Sequence, residues 1–347
     1  MKKLIVWIIF PFVISGCGEE SVTSLSIREN TASVPPPANL TKSARLYDPT
    51  GTQGTTEYPW GFLKFNHDGK LTEELSMHPF NYFLDEGVLI GTGTKTRCSY
   101  DHQGNLAEKT EGDNIFRYVY EDGRMAKLMQ YKRNASREEP DYVKSTYYKY
   151  NSGGLIAWEA ESDFNPFTED KNRSVGTKLI RYTYDAQNRL TEKLYIDNWS
   201  GRPFASYEKE PVHEQIYRRE TFSYSESSGK LLKISWQEPR YEGEFGLEEK
   251  YTETYSYDAH DRLTLVIKTG HPGVPLAGVL STVRYEYDEH GRLSLLENKE
   301  ILTHQISRYT YDTLGRILTE HVKYSSLGSS VKEPRDWLLI SYQYTPL

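Results

Sequence analysis

The 347-residue chain carries 49 acidic residues, 9 His and 2 Cys, yet their spacing assembles little chemistry. His213-Glu214-Gln215-Ile216-Tyr217 opens like a zinc-protease helix, but Tyr217 stands where the second His ligand is required. Gly91-Thr92-Gly93-Thr94-Lys95 is Gly-rich without phosphate-loop spacing, and it reads as a hairpin connector. His67, His102, His260 and His290 fall in separate turns of a repeat, so nothing makes them converge on a metal. Glu138-Glu139 and Glu248-Glu249 lie in connectors, whereas catalytic carboxylates need a fixed separation across a cleft. No nucleophile elbow, Walker loop or calcium loop occurs. The expectation is a protein that is not an enzyme and has no cofactor or metal. The net charge of −7 argues against nucleic acid, because phosphate neutralisation needs Lys and Arg in excess. Two Cys exclude a disulfide framework.

The elements that must carry any site come from a repeat. Tyr184-Asp185-Ala186-Gln187-Asn188-Arg189-Leu190 aligns with Tyr257-Asp258-Ala259-His260-Asp261-Arg262-Leu263. Tyr287-Asp288-Glu289-His290-Gly291-Arg292-Leu293 and Tyr311-Asp312-Thr313-Leu314-Gly315-Arg316-Ile317 follow the same pattern. Weaker copies begin at Phe65, Tyr100, Tyr120, Tyr150 and Tyr224; those at Tyr120 and Tyr150 read as one residue short and that at Tyr224 as one long. A fixed motif at variable spacing implies a constant turn and variable connectors.

Each motif residue has a physical reading. Tyr pairs such as Tyr182 and Tyr184 put two rings on one face of a strand. The Asp starts a turn by bonding backbone two residues on. The Gly position needs a positive φ, and Asn188 and Asp261, which stand there in two copies, also tolerate it. The following Leu, Met or Ile opens a return strand, with Leu263, Leu265 and Ile267 read as alternating. Arg117, Arg181, Arg284 and Arg308 take the opposite, solvated face. Cys98 occupies a first-Tyr slot and reads as a small core residue. Of the 28 Tyr, 16 fall at these paired positions, so the Tyr excess is a signature of repeated hairpins. The fold expected is all-β, an antiparallel meander of hairpins.

The pattern Y-D-x-x-G-R-L resembles the YD repeat of RHS-repeat proteins over roughly residues 60–320. That resemblance implies a curled or spiral sheet. Large members of the family enclose a C-terminal toxin, and with nine copies and no following domain that function does not carry over. The sequence leaves an open and a closed sheet equally available. A membrane-spanning barrel is rejected, since the outward positions carry Arg, Lys, Thr and Glu rather than an apolar band.

At the N-terminus, Lys2 and Lys3 precede an apolar run from Leu4 to Ile14 and then Ser15-Gly16-Cys17. This order resembles the lipobox of bacterial lipoproteins, which implies cleavage of residues 1–16, lipidation of Cys17 and a membrane partner through that anchor. Gly18 rather than Asp after the Cys implies outer-membrane localisation. Cleavage removes two Lys and no acid, taking the net charge from −7 to −9. Residues 17–57, rich in Ser, Thr and Pro, read as a flexible tether, with a packed N-terminal strand after Leu40 as the alternative. Residues 58–347 form the repeat domain.

Function is expected in the connectors, since loops on a rigid scaffold carry most binding. Trp158, Phe164, Phe167, Trp199 and Trp236 are the aromatics expected to form a binding surface. The leading reading is a non-enzymatic outer-membrane lipoprotein presenting loops to a protein or glycan. The alternatives are an envelope immunity protein against a secreted toxin and an enzyme acting on envelope polymers.

Overall fold

The computed structural model describes residues 38–47, 58–85, 88–134, 136–167, 178–197, 204, 216–239, 246–272, 277–326 and 337–346. All twenty elements are strands, and they fall into two compact units.

The first unit comprises Met1–Asp113 and Val283–Leu347. It opens with β1 (Ala38–Tyr47), β2 (Tyr58–Phe65), β3 (Leu71–Asp85), β4 (Val88–Tyr100) and β5 (Leu106–Glu111). The second unit, Asn114–Thr282, holds β6 (Asn114–Glu121), β7 (Arg124–Lys132), β8 (Asp141–Tyr150), β9 (Ile156–Glu161) and β10 (Lys178–Tyr184). It continues through β11 (Leu190–Asp197), β12 (Ile216–Tyr224), β13 (Leu231–Pro239), β14 (Leu247–Tyr257) and β15 (Leu263–Gly270). β16 (Gly278–Tyr287), β17 (Leu293–Glu300), β18 (Thr303–Tyr311), β19 (Ile317–Ser326) and β20 (Trp337–Pro346) complete the chain.

In the second unit every strand from β6 to β15 pairs antiparallel with its sequence neighbour. The first unit does the same from β1 to β5 and from β17 to β20. It adds one long-range pairing: β1 lies against β20 over ten positions, from Ala38↔Pro346 to Tyr47↔Trp337. The all-β antiparallel expectation holds. The spiral does not, because a spiral leaves its first and last strands apart, and here they are hydrogen-bonded partners. That pairing removes two exposed strand edges at once. It also places residues 38–47, inside the stretch expected to be a tether, in the sheet.

A β-bulge recurs beside the turn. In eight hairpins the register shifts just before the last Tyr or Phe of the first strand, as between Thr183 and Tyr184 or Ser256 and Tyr257. Tyr184 therefore faces Leu190, while Thr183 faces Glu192, and Thr191 is the extra residue. The bulge breaks the simple alternation expected of the return strand. Leu263 sits opposite Tyr257, on the Tyr face, but Leu265 and Ile267 sit opposite Ser256 and Thr254 on the other.

Candidate functional site

The motif turn is a closed hydrogen-bonding unit. Asp185 Oδ1 accepts from the backbone N–H of Gln187 and Arg189, and Oδ2 accepts from Arg189 Nε at 2.6 Å. The same three bonds recur around Asp258 with Arg262, Asp288 with Arg292 and Asp312 with Arg316. The fourth turn residue closes back on the Asp carbonyl and takes a positive φ: 62° at Asn188, 66° at Asp261, and 78° at both Gly291 and Gly315. The backbone requirement inferred from the Asn and Asp substitutions is therefore met.

The copy at Tyr150 is full length, contrary to expectation. Asn151 takes the Asp role, Gly154 the Gly role (φ 81°) and Leu155 the Arg slot. The copy at Tyr120 is short, and its Asp122-Gly123 turn has φ of 51° and 73°, the left-handed pair that suits a two-residue hairpin.

The remaining motif groups tie each hairpin to the one before it. Tyr184 Oη donates to the carbonyl of Ile156 at 2.9 Å, Tyr224 to Leu190 at 2.8 Å, and Tyr311 to Leu293 at 2.6 Å. In each case the acceptor is the residue that opens the preceding return strand. The Arg of that preceding turn lies over the same ring: Arg189 is 4.8 Å from the Tyr224 centroid, Arg292 4.5 Å from Tyr311 and Arg316 4.5 Å from Tyr344. The motif residues are thus engaged in building the sheet.

The Tyr face also carries buried charges that alternation alone conceals. The bulge brings the third residue after the motif Leu opposite the first Tyr slot. That position holds Glu74 opposite Leu63, Lys109 opposite Cys98, Glu159 opposite Tyr148, Lys193 opposite Tyr182 and Glu320 opposite Tyr309. Skipping one residue after each motif Leu would have found all five in the sequence.

Burial sets the electrostatics here. In the second unit Tyr182 Oη donates to Glu159 Oε1 at 2.5 Å, and Tyr195 Oη donates to Glu220 Oε1 at 3.0 Å. Burial raises the Glu159 carboxyl, against the Tyr182 bond and Lys193. Burial lowers the Lys193 amine, against Glu220 and Glu159. In the first unit, Tyr309 and Tyr342 donate to the two oxygens of Glu320 at 3.2 and 2.8 Å. Lys42, 8% exposed, is lowered by burial, against Glu320 and Glu74. Every carboxylate in these groups is matched by a cation or a Tyr hydroxyl, which is how buried charge is tolerated. Among the described residues no group of His, Cys, Asp and Glu could hold a metal ion.

The connector aromatics correct the sequence reading. Trp158, Phe164 and Phe167 are 8–9% exposed and belong to the core. Phe204, 1% exposed, stacks edge-on against Trp158 at 5.2 Å and Phe167 at 4.7 Å. Phe167 and Phe204 cluster with Trp158, Leu179 and Leu194 on the sheet face opposite the Tyr rows, which is why their rings are covered. Trp236 is half-buried on the Tyr face, opposite Glu220 and Tyr251, with Lys268 over its ring. Trp199 and Cys17 lie outside the described residues. Cys98 is buried as its slot requires. The open aromatics lie elsewhere: Tyr142 is 48% exposed and Tyr217 36%. The expected solvated Arg face holds at Arg284, 58% exposed, but Arg181 is partly covered and paired with Glu192.

No protein-family model matches the chain, and no curated protein matches it. A crystal structure of TcdB2-TccC3-Cdc42 is similar with 14% identity and a TM-score of 0.30 over 83% of this chain, which spans 17% of that one. A porin-like protein from Bacteroides uniformis ATCC 8492 is similar with 10% identity and a TM-score of 0.31, covering 89% of this chain and 96% of that one. A porin-like protein from Bacteroides vulgatus ATCC 8482 has 12% identity and a TM-score of 0.23 over 74% of this chain and 95% of that one.

Proposed function

We propose that the chain is a non-catalytic, lipid-anchored outer-membrane protein whose YD-type hairpins form a scaffold for binding a protein or glycan. The observation that carries this reading is the engagement of the repeat chemistry. The Asp, Arg and Tyr of the motif bond within their turn or to the neighbouring hairpin, so they act as scaffold, and binding falls to the open side chains away from the turns.

The anchor rests on the order of Lys2-Lys3, the apolar run and Cys17. A lipid anchor suits the strand chemistry better than a membrane-spanning barrel. Lys64, Arg97 and Arg284, on the face opposite the Tyr rows, have side chains 55%, 61% and 58% exposed, and Ser99, Thr183, Ser223, Ser256 and Thr310, each the residue before a motif Tyr, are exposed as well. A lysine or arginine at the centre of a lipid-facing strand costs about 2–4 kcal/mol. Among the described residues no helix is long and apolar enough to cross a membrane.

The anchor makes a chemical demand on the two cysteines. The sulfur of Cys17 takes a lipid thioether or a disulfide to Cys98, never both. Cell fractionation with acyl labelling is the test. Wild type is expected in the membrane fraction with label, and Cys17→Ala is expected as an unlabelled, uncleaved precursor. Normal labelling of that variant, or a soluble wild type, would overturn the anchor.

A further inference from the structure

We propose that the face of β2, β3 and β4 opposite the Tyr rows docks on the phosphate headgroups of the anchoring membrane through Lys64, Lys95 and Arg97. The proposal deepens the lipid-anchored reading above and rests on it. The ladder registers set the three cations on one face. Lys64, Glu73 and Arg97 form one row across the three strands, and Phe62, Leu75 and Lys95 form the next row along. All three cations converge on one carboxylate: Lys64 Nζ lies 2.8 Å from Glu73 Oε2, Lys95 Nζ 2.6 Å from Oε1 and Arg97 Nε 3.5 Å from Oε1. The bonds from Lys64 and Lys95 hold the Glu73 carboxyl down at about 2, so it stays ionised at neutral pH and cancels one positive charge.

Two of the three positive charges are then left over, in a chain whose net charge is −7. The side chains of Lys64, Lys95 and Arg97 are 55%, 45% and 61% exposed, so this excess faces solvent. An ammonium carries several N–H donors and a guanidinium more, and one shared carboxylate occupies a minority of them. The Phe62 ring lies 4.8 Å from the Lys64 ammonium and 5.9 Å from that of Lys95, which helps to fix both side chains in place. Glu108, half-buried opposite Ser99, borders the patch on the same face and trims the excess at that edge.

Position in the fold names the partner. β1 runs beside β2, with Leu40 opposite Leu63 and Asn39 Oδ1 accepting from the Phe65 N–H at 2.9 Å. The chain enters β1 at Ala38, beside this end of β2, and twenty residues separate Ala38 from Cys17. The cationic rows therefore lie at the end of the sheet to which the anchor is tied. A leaflet bearing anionic headgroups is the complementary surface there, and each uncompensated cation near it favours the docked state about fivefold. The centre of a protein interface, by contrast, is depleted of such charge.

The test is lysine footprinting of the full lipidated chain on preformed vesicles, read by peptide mass spectrometry. One set of vesicles is phosphatidylcholine alone, and the other carries about 30% phosphatidylglycerol. A membrane-impermeant acetylating reagent should modify Lys64 and Lys95 at least about threefold less on the anionic vesicles, while Lys144, 44% exposed on β8, reacts equally on both. Salt at about 0.5 M should abolish the difference, and Arg97→Gln should reduce it. Equal reactivity of Lys64 and Lys95 on the two vesicle types, or matching protection of Lys144, would overturn the docking. Equal protection by soluble glycerol phosphate on phosphatidylcholine vesicles would also overturn it, replacing the lipid surface with a soluble phosphate ligand. A chain without acyl groups on Cys17 would overturn the anchor and the docking with it, whereas an acylated chain without protection removes the docking and leaves the anchor standing.

Discussion

Replacing Lys42 with Met tests how the two ends of the chain are joined. Lys42 lies in β1, opposite Tyr342 of β20 and Gly61 of β2, 5.6 Å from the Tyr342 centroid. Glu320 from the last repeat and Glu74 from the first favour its charged form, against burial. Met keeps the aliphatic volume and removes the cation. Glu74 then keeps only Lys109 as a nearby cation and Glu320 only the Tyr309 and Tyr342 hydroxyls, and the cheapest response is to protonate one carboxyl. Taking a carboxyl of reference pKa about 4.3 to its neutral form at pH 7 costs about 3–4 kcal/mol, in line with about 3–5 kcal/mol for breaking a buried ion pair. Burial already raises the Glu74 carboxyl, so Glu74 takes the proton. Its folded pKa then lies further above its unfolded value. The sign follows: the penalty is full at pH 7 and shrinks as pH falls toward the unfolded value. Urea unfolding of the first unit should show a loss of about 3 kcal/mol at pH 7 and recovery of at least half of it by pH 5. The β1 amides should lose exchange protection first. A loss below about 1 kcal/mol at pH 7, or no recovery at pH 5, would refute the charge latch.

Three further outcomes follow from the same geometry. Tyr311→Phe removes the 2.6 Å bond to the Leu293 carbonyl and should cost about 1 kcal/mol in denaturant melts; with Arg292→Ala in a double-mutant cycle the two should couple, since Arg292 covers the same ring. Asp261, at φ 66°, should accept Gly without loss of melting temperature, whereas Val should cost about 1–2 kcal/mol. Phe204→Ala should cost about 3–5 kcal/mol, because the ring is 1% exposed and fills the contact between Trp158 and Phe167; a chain that tolerated it would return those connectors to the surface.

Most of the hairpin fold is legible in the sequence, and the reason is local. Asp185, Asn188 and Leu190 each answer a requirement of one turn, and seven residues suffice to state it. What the sequence hides is non-local. The pairing of Leu40 with Tyr344 across the whole chain leaves no periodic trace, so the spiral and the joined ends read alike. One bulge residue after each motif Leu inverts the face of everything beyond it, which moved Leu265 off the Tyr face and put Lys193 on it. The aromatic connectors misled for a related reason. Phe167 has the composition of a binding-loop aromatic, and only packing against Phe204 shows it to be core. Tyr142 gave no signal, since one more Tyr in a Tyr-rich strand is distinguished by exposure alone.

The account turns most directly on the sulfur of Cys17. Intact-mass and peptide mass spectrometry of the protein from the membrane fraction should give a chain beginning at Cys17 with acyl groups on that residue. A chain retaining residues 1–16, or one whose Cys17 is joined to Cys98, would contradict the anchored-scaffold account.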